Sequence, residues 1–149
     1  MSLQEFCRRP VISISPRSAI IDACELMARN NIGCMVVQEN GKLCGIVTDR
    51  DIALKVAGES KDSRQTKVGE VMTPNPVSIS VNKNLHDLTG LMHSHHVRRV
   101  PIIDGVDNVL GIVTLDDLLS MLGNEMFEIG KTVSETFTAR TVYKPLETL

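Results

Sequence analysis

Apolar and polar positions along the chain follow one scheme, twice. A short β-branched run at Val11–Ile14 predicts a strand, and Ile20, Cys24, Met27 and Ala28 then recur at helical spacing and predict an amphipathic helix. Two apolar runs, Cys34–Val37 and Leu43–Val47, flank Glu39-Asn40-Gly41-Lys42, and Asn-Gly between apolar runs predicts a β-hairpin. A short helix carrying Ile52, Leu54 and Val56 closes the first pass. The second begins with a strand at Pro76–Val81 and a helix whose face holds Leu85, Leu88 and Met92. A hairpin follows, Val100–Ile103 and Val109–Val113 around Asp104-Gly105-Val106-Asp107-Asn108, and then a helix with Leu118, Leu119 and Leu122.

The chain matches itself in sequence as well as in pattern. Residues 45–51 read GIVTDRD and residues 111–117 read GIVTLDD, identical at five of seven positions at an offset of 66. Ile12-Ser13-Ile14-Ser15 faces Val77-Ser78-Ile79-Ser80 at an offset of 65, as do Asp22 and Asp87, and Met27 and Met92. The organisation predicted is repeat one at 8–57, a polar and mobile linker at 58–70, repeat two at 71–122 and a tail at 123–149. Gly123 is expected to end the last helix of repeat two. The tail is expected to hold one more helix near Glu125–Ser134, followed by an extended or irregular stretch over Thr136–Tyr143. Each copy is too small to cover both faces of its sheet. The fold class expected is therefore α/β (α+β), two tandem β-α-β-β-α repeats packed with pseudo-twofold symmetry.

Composition narrows the chemistry. The 149 residues are 42% hydrophobic and 23% charged with a net charge of −2, which disfavours a nucleic-acid footprint. The aromatic residues are Phe6, Phe127, Phe137 and Tyr143, all outside the repeat cores, so no ring is available there to stack on a base. They are expected instead to dock the chain ends, across a dimer interface for example. No apolar run is long enough to span a membrane, and the N-terminus lacks the apolar core of a signal peptide. Cys7, Cys24, Cys34 and Cys44 form no C-x-x-C pair, which fits reduced thiols and a cytoplasmic location and disfavours zinc.

Two motifs could carry chemistry. Thr48 and Asp51, and Thr114 and Asp117, form Thr-x-x-Asp between a strand and a helix. One reading is a helix cap, in which the Thr hydroxyl accepts an amide three residues on and the acidic residue reaches back. The other is a ligand site. There the Asp carboxylate accepts both hydroxyls of a ribose, and the Thr hydroxyl and helix N-terminal amides meet phosphate oxygens. The two roles are compatible. Arg98 and Arg99 enter a strand and suit phosphate, or are simply solvated charges, and repeat one has Ile32 and Gly33 in their place. Unequal clefts are expected from that difference. His86, His93, His95 and His96 all lie in repeat two, with His93 and His96 one helical turn apart. No Cys, Asp or Glu stands adjacent to complete a metal site, so no metal is assigned.

The repeated Gly-h-h-Thr-x-x-Asp at 45–51 and 111–117 (h, an apolar residue), Met72-Thr73-Pro74, and Val97-Arg98-Arg99-Val100-Pro101-Ile102-Ile103-Asp104 together resemble a pair of cystathionine-β-synthase (CBS) domains, a Bateman module, over about residues 8–122. The resemblance implies a β-α-β-β-α fold per copy, clefts between the copies that take adenosine-type nucleotides, and a homodimer. It marks Thr48, Asp51, Thr114, Asp117, Arg98, Arg99, Pro101 and Ile102 as ligand-binding. With no aromatic ring available, Ile12, Val77 and Ile102 are expected to wall an adenine.

The function expected is a cytoplasmic, non-enzymatic sensor. It would bind AMP, ADP, ATP, NAD or S-adenosylmethionine, AMP or ATP foremost, and alter a homodimer read by a regulated protein. No cofactor is required, and neither nucleic acid nor membrane is a partner. The alternatives are a ligand-free dimerisation module and a metal or redox sensor built on the histidines or Cys7.

Overall fold

The computed structural model of the chain describes residues 3–7 and 10–140. After a short 3-10 turn at Leu3–Cys7 come β1 (Ser13–Ile14), α1 (Ile20–Asn30), β2 (Cys34–Glu39), β3 (Lys42–Thr48) and α2 (Asp49–Ile52), which runs on as a π-turn over Ala53–Ala57. Then follow α3 (Val68–Val71), β4 (Thr73–Pro74), β5 (Ile79–Ser80), α4 (Leu85–His95), β6 (Arg99–Ile103), β7 (Val109–Thr114) and α5 (Leu115–Arg140). The fold is mixed α+β with two sheets, ordered β1-β2-β3-β4 and β5-β6-β7. The chain divides between Val113 and Thr114 into two compact units.

In the first unit the hairpin forms where Asn40-Gly41 places it, with both residues at positive φ, 52° and 79°. β1 joins β2 in parallel and β2 joins β3 antiparallel, with a bulge at Val37/Gln38. Met35, Val37 and Val47 point into a core with Ile20, Ala23, Met27, Val56, Val68 and Val71. Val36 and Ile46 pair across the ladder and are also buried, so both faces of this sheet are covered. That explains why its strands read as continuous apolar runs rather than alternating ones.

Two expectations need correction. The 58–70 segment is docked rather than mobile. Ile20 N–H donates to the Thr66 carbonyl at 3.0 Å, Ile21 N–H to Ser63 at 3.0 Å and Val68 N–H to Ser18 at 2.9 Å. The first two bonds satisfy open amides at the start of α1 and the third the first amide of α3, and Thr66 is buried. Nor does Gly123 end a helix: α5 is one helix of 26 residues that passes through it. Glycine weakens a helix interior without obliging it to stop. Within the predicted extended stretch, residues 136–140 are helical, and 141–149, with Tyr143, lie outside the described residues.

The opening residues of repeat two complete the first sheet. β4 pairs antiparallel with β3, Thr73 opposite Ile46 and Pro74 opposite Gly45. A Cβ on Gly45 would lie 2.5 Å from the Met72 sulfur and 2.9 Å from the Thr73 carbonyl. The N-terminal turn lies in the same way against β7, where a Cβ on Gly111 would sit 3.0 Å from the Phe6 carbonyl and 3.2 Å from Cys7 Sγ. Each Gly-h-h-Thr motif therefore opens on glycine because another segment crosses over that residue.

Candidate functional site

Each Thr-x-x-Asp turn begins where a β-strand hands over to a helix, and both turns are complete capping boxes. Thr48 Oγ1 accepts from Asp51 N–H at 3.1 Å and donates to Asp51 Oδ2 at 2.8 Å, while Thr48 N–H donates to the same Oδ2 at 3.1 Å. In the second turn Asp117 N–H donates to Thr114 Oγ1 at 3.1 Å, and Thr114 N–H and Oγ1 donate to Asp117 Oδ2 at 2.8 and 2.7 Å. The cap thus occupies one carboxylate oxygen in each turn. A ribose reading is left with Oδ1 as the open acceptor rather than both oxygens.

At Oδ1 the two turns differ. Asp51 Oδ1 is paired with Lys55 Nζ at 2.8 Å, and Lys55 also donates to the Val71 carbonyl at 2.8 Å. Burial pulls the Asp51 pKa upward, but hydrogen bonds from Lys55 and Thr48 outweigh it, and the group sits below the usual carboxylate value. The residue matching Lys55 at the repeat offset is Met121. Asp117 is exposed, and its Oδ1 has no partner among the described residues.

A second difference concerns the basic pair. Arg98 is exposed and Arg99 is half-buried at the first position of β6. At the matching Gly33, a Cβ would lie 2.9 Å from Asp49 Oδ2, and the Gly33 carbonyl accepts Asp49 N–H at 3.0 Å. Repeat one therefore places a carboxylate over the residue that matches Arg99. At the position of Asp49, repeat two has Leu115.

The two hairpins are stitched together inside the first unit. Leu43 N–H donates to the Asp107 carbonyl at 3.3 Å, Val109 N–H to Gly41 at 3.2 Å, and Lys42 Nζ to the Val106 carbonyl. Beside this seam lies an open cleft of about 250 Å³ lined by Lys42, Leu43, Asn75, Pro76, Ser78, Ile103 and Asp107. None of the residues expected to bind a ligand lines it. Val77 lies between two lining residues and Ile102 precedes another, but Ile102 and Pro101 are buried and Ile12 packs against the first core. Lys42, which opens β3, and Asp107, in the loop before β7, were missed by sequence reading, because charged residues are the ordinary expectation beside hairpin turns and carry no signal. Lys55 did carry one, its i,i+4 spacing from Asp51.

The remaining groups give little. The His93 and His96 rings are 6.5 Å apart, and no cluster of three metal-ligating residues occurs among the described residues. The four cysteines are half-buried and form no disulfide, and burial raises the pKa of Cys7 and Cys24. Among the described residues no helix is long and apolar enough to cross a membrane.

Comparison with known proteins identifies the fold and its family. The chain is 41% identical over 125 residues to the CBS domain-containing protein YhcV of Bacillus subtilis, covering 83% of this chain and 88% of that one. Other relatives are longer: the chain spans 23% of a homoserine O-acetyltransferase from Methanocorpusculum labreanum, matched at 34% identity. Among solved structures, the CBS-domain containing protein ATU1752 of Agrobacterium tumefaciens superposes with a TM-score of 0.69 at 29% identity, over 80% of this chain and 94% of that one. A CBS domain protein from Pyrobaculum aerophilum, solved in complex with AMP, superposes at 0.71 with 20% identity, over 79% of this chain and 90% of that one. The CBS domain profile matches at residues 3–58 and again at 68–124, and with both repeats so matched the chain belongs to the CBS domain family.

Proposed function

We propose that this protein is a non-catalytic, regulatory CBS pair that binds an adenosine-type nucleotide, AMP or ATP foremost, between its repeats and so alters a homodimer. The working boundaries are repeats at 8–57 and 71–122, the linker at 58–70 and the tail at 123–149. The observation that carries the reading is the pair of capped Thr-x-x-Asp turns, each presenting a helix N-terminus and a carboxylate beside a strand end. The Pyrobaculum complex supports it at the level of the fold, which can hold AMP.

Asp117 is the better ribose acceptor, because its Oδ1 is open while that of Asp51 holds Lys55. Arg98 and Arg99 of the same repeat serve phosphate, Thr48 and Thr114 orient the turns, and Pro101, Ile102, Ile12 and Val77 supply apolar walls. Because Ile102 is closed to solvent, nucleotide entry requires the strands around it to move, and that movement couples ligand to dimer. Calorimetric titration with AMP, ATP, NAD and S-adenosylmethionine tests the reading. Saturable binding of at least one supports it, and no heat from any of them removes it.

A further inference from the structure

Helix α5 outlasts the repeat it follows: the family match ends at residue 124, and α5 continues to Arg140. Along it Leu115, Leu119, Leu122, Met126, Ile129 and Val133 recur at alternating steps of four and three. That spacing is the 3.5-residue period of a two-helix seam. From Leu119 onward these side chains lie open, between 49% and 72% exposed. The flanking positions between 118 and 132 hold Leu118, Gly123, Glu125, Gly130 and Thr132, with Glu125 the one charge. Glu128, Lys131 and Glu135 sit on the other side, where Lys131 pairs with Glu128 and lies 5.4 Å from the centre of the Phe127 ring.

Every described side chain from Leu122 to Thr136 is exposed. A helix this open, interrupted by two glycines, gains too little from its own hydrogen bonds to persist in water without a packed face. A Cβ at Gly123 or Gly130 would meet nothing within 4 Å, so the chain's own packing does not need these glycines. Seven residues apart on one flank of the seam, they would let another backbone approach closely. At those exposures the open seam from Leu119 to Val133 offers roughly 500 Å² of side chain per copy, the larger part of the ~800 Å² per partner of a stable interface, before the flanking residues are added. A lipid surface fits less well, since the helix from 119 to 136 carries three Glu against one Lys.

We infer that this face of α5 packs against α5 of a second copy of the chain. The inference rests on the homodimer part of the proposed function and is independent of any ligand. Sedimentation of the full chain between about 1 and 100 µM tests it, because self-association depends on concentration. The wild type is expected to be dimeric. Ile129→Glu and, separately, Met126→Glu should raise the dissociation constant at least about 100-fold, while Glu128→Gln on the other side leaves it unchanged. Far-ultraviolet circular dichroism at high concentration checks that each variant keeps its folded repeats. Seam variants that dimerise as well as the wild type would overturn the inference while leaving the homodimer intact. A wild type that stays monomeric would overturn both, and one that instead pellets with phosphatidylcholine vesicles would assign the face to lipid.

Discussion

Lys55 Nζ lies 2.8 Å from Asp51 Oδ1, and the same ammonium donates to the backbone carbonyl of Val71. The contact ties the first Thr-x-x-Asp turn to α3, the helix that leads into repeat two. Lys55→Met should cost about 1 kcal/mol at neutral pH, the scale of a part-buried ion pair with one hydrogen bond. Asp51 is held below its ordinary pKa, so its stabilising contribution is present above the unfolded-state value near 4 and is lost as pH falls through the lower folded-state value. Melting curves between about pH 2 and pH 7 should therefore show the wild-type advantage over Lys55→Met shrinking on the acid side. An advantage that grows as pH falls would contradict the assignment.

The caps predict a matched pair of losses. Thr48→Ala and Thr114→Ala each remove the acceptor for an amide three residues on and a hydroxyl donor to the carboxylate. Each should destabilise by about 1 kcal/mol in chemical denaturation. A cost below about 0.3 kcal/mol at both positions would mean that the turns are held by something other than these boxes.

Glycine substitutions should separate crossing points from open helix. Gly45→Ala drives a methyl against Met72 and the Thr73 carbonyl, and should cost about 1–3 kcal/mol. Gly111→Ala meets the Phe6 carbonyl at a longer distance and should cost less. Gly90→Ala, inside α4 with nothing nearby, should stabilise by up to about 1 kcal/mol. The order of midpoints, Gly90→Ala highest and Gly45→Ala lowest, is the result to look for.

Thiol chemistry addresses the redox alternative. Burial raises the pKa of Cys7 and Cys24, and the Cys7 thiol donates to the Leu3 carbonyl at 3.6 Å. Both should alkylate more slowly than a free thiol at pH 7 and accelerate only as pH climbs past the free-cysteine range. Fast modification of Cys7 at neutral pH would revive a redox role.

What the sequence disclosed and what it withheld divide along physical lines. The hairpin at Asn40-Gly41 and the buried face of α4 at Leu88 and Met92 were legible, because turn chemistry and periodicity are local. The docking of 58–70 was not, since it rests on backbone carbonyls of Ser63 and Thr66 that any residue could supply. Gly123 misled because a helix stops only when its surroundings favour stopping. The asymmetry between the repeats was read from Arg98 and Arg99, but its sharper form, Lys55 on Asp51 against an open Asp117, needed coordinates to show which oxygen each contact uses.

The proposed function has an adenosine-type nucleotide bind and lean on the Asp117 turn. Its most direct test is the ligand-induced change in melting temperature with AMP and with ATP, for the wild type, Asp51→Ala and Asp117→Ala, each against its own unliganded midpoint. At 100 times the dissociation constant a bound nucleotide adds about 2.7 kcal/mol, a rise of several degrees. That rise should be present in the wild type, largely kept in Asp51→Ala and lost in Asp117→Ala. No rise with either nucleotide in the wild type, or a full rise in Asp117→Ala, would contradict the account.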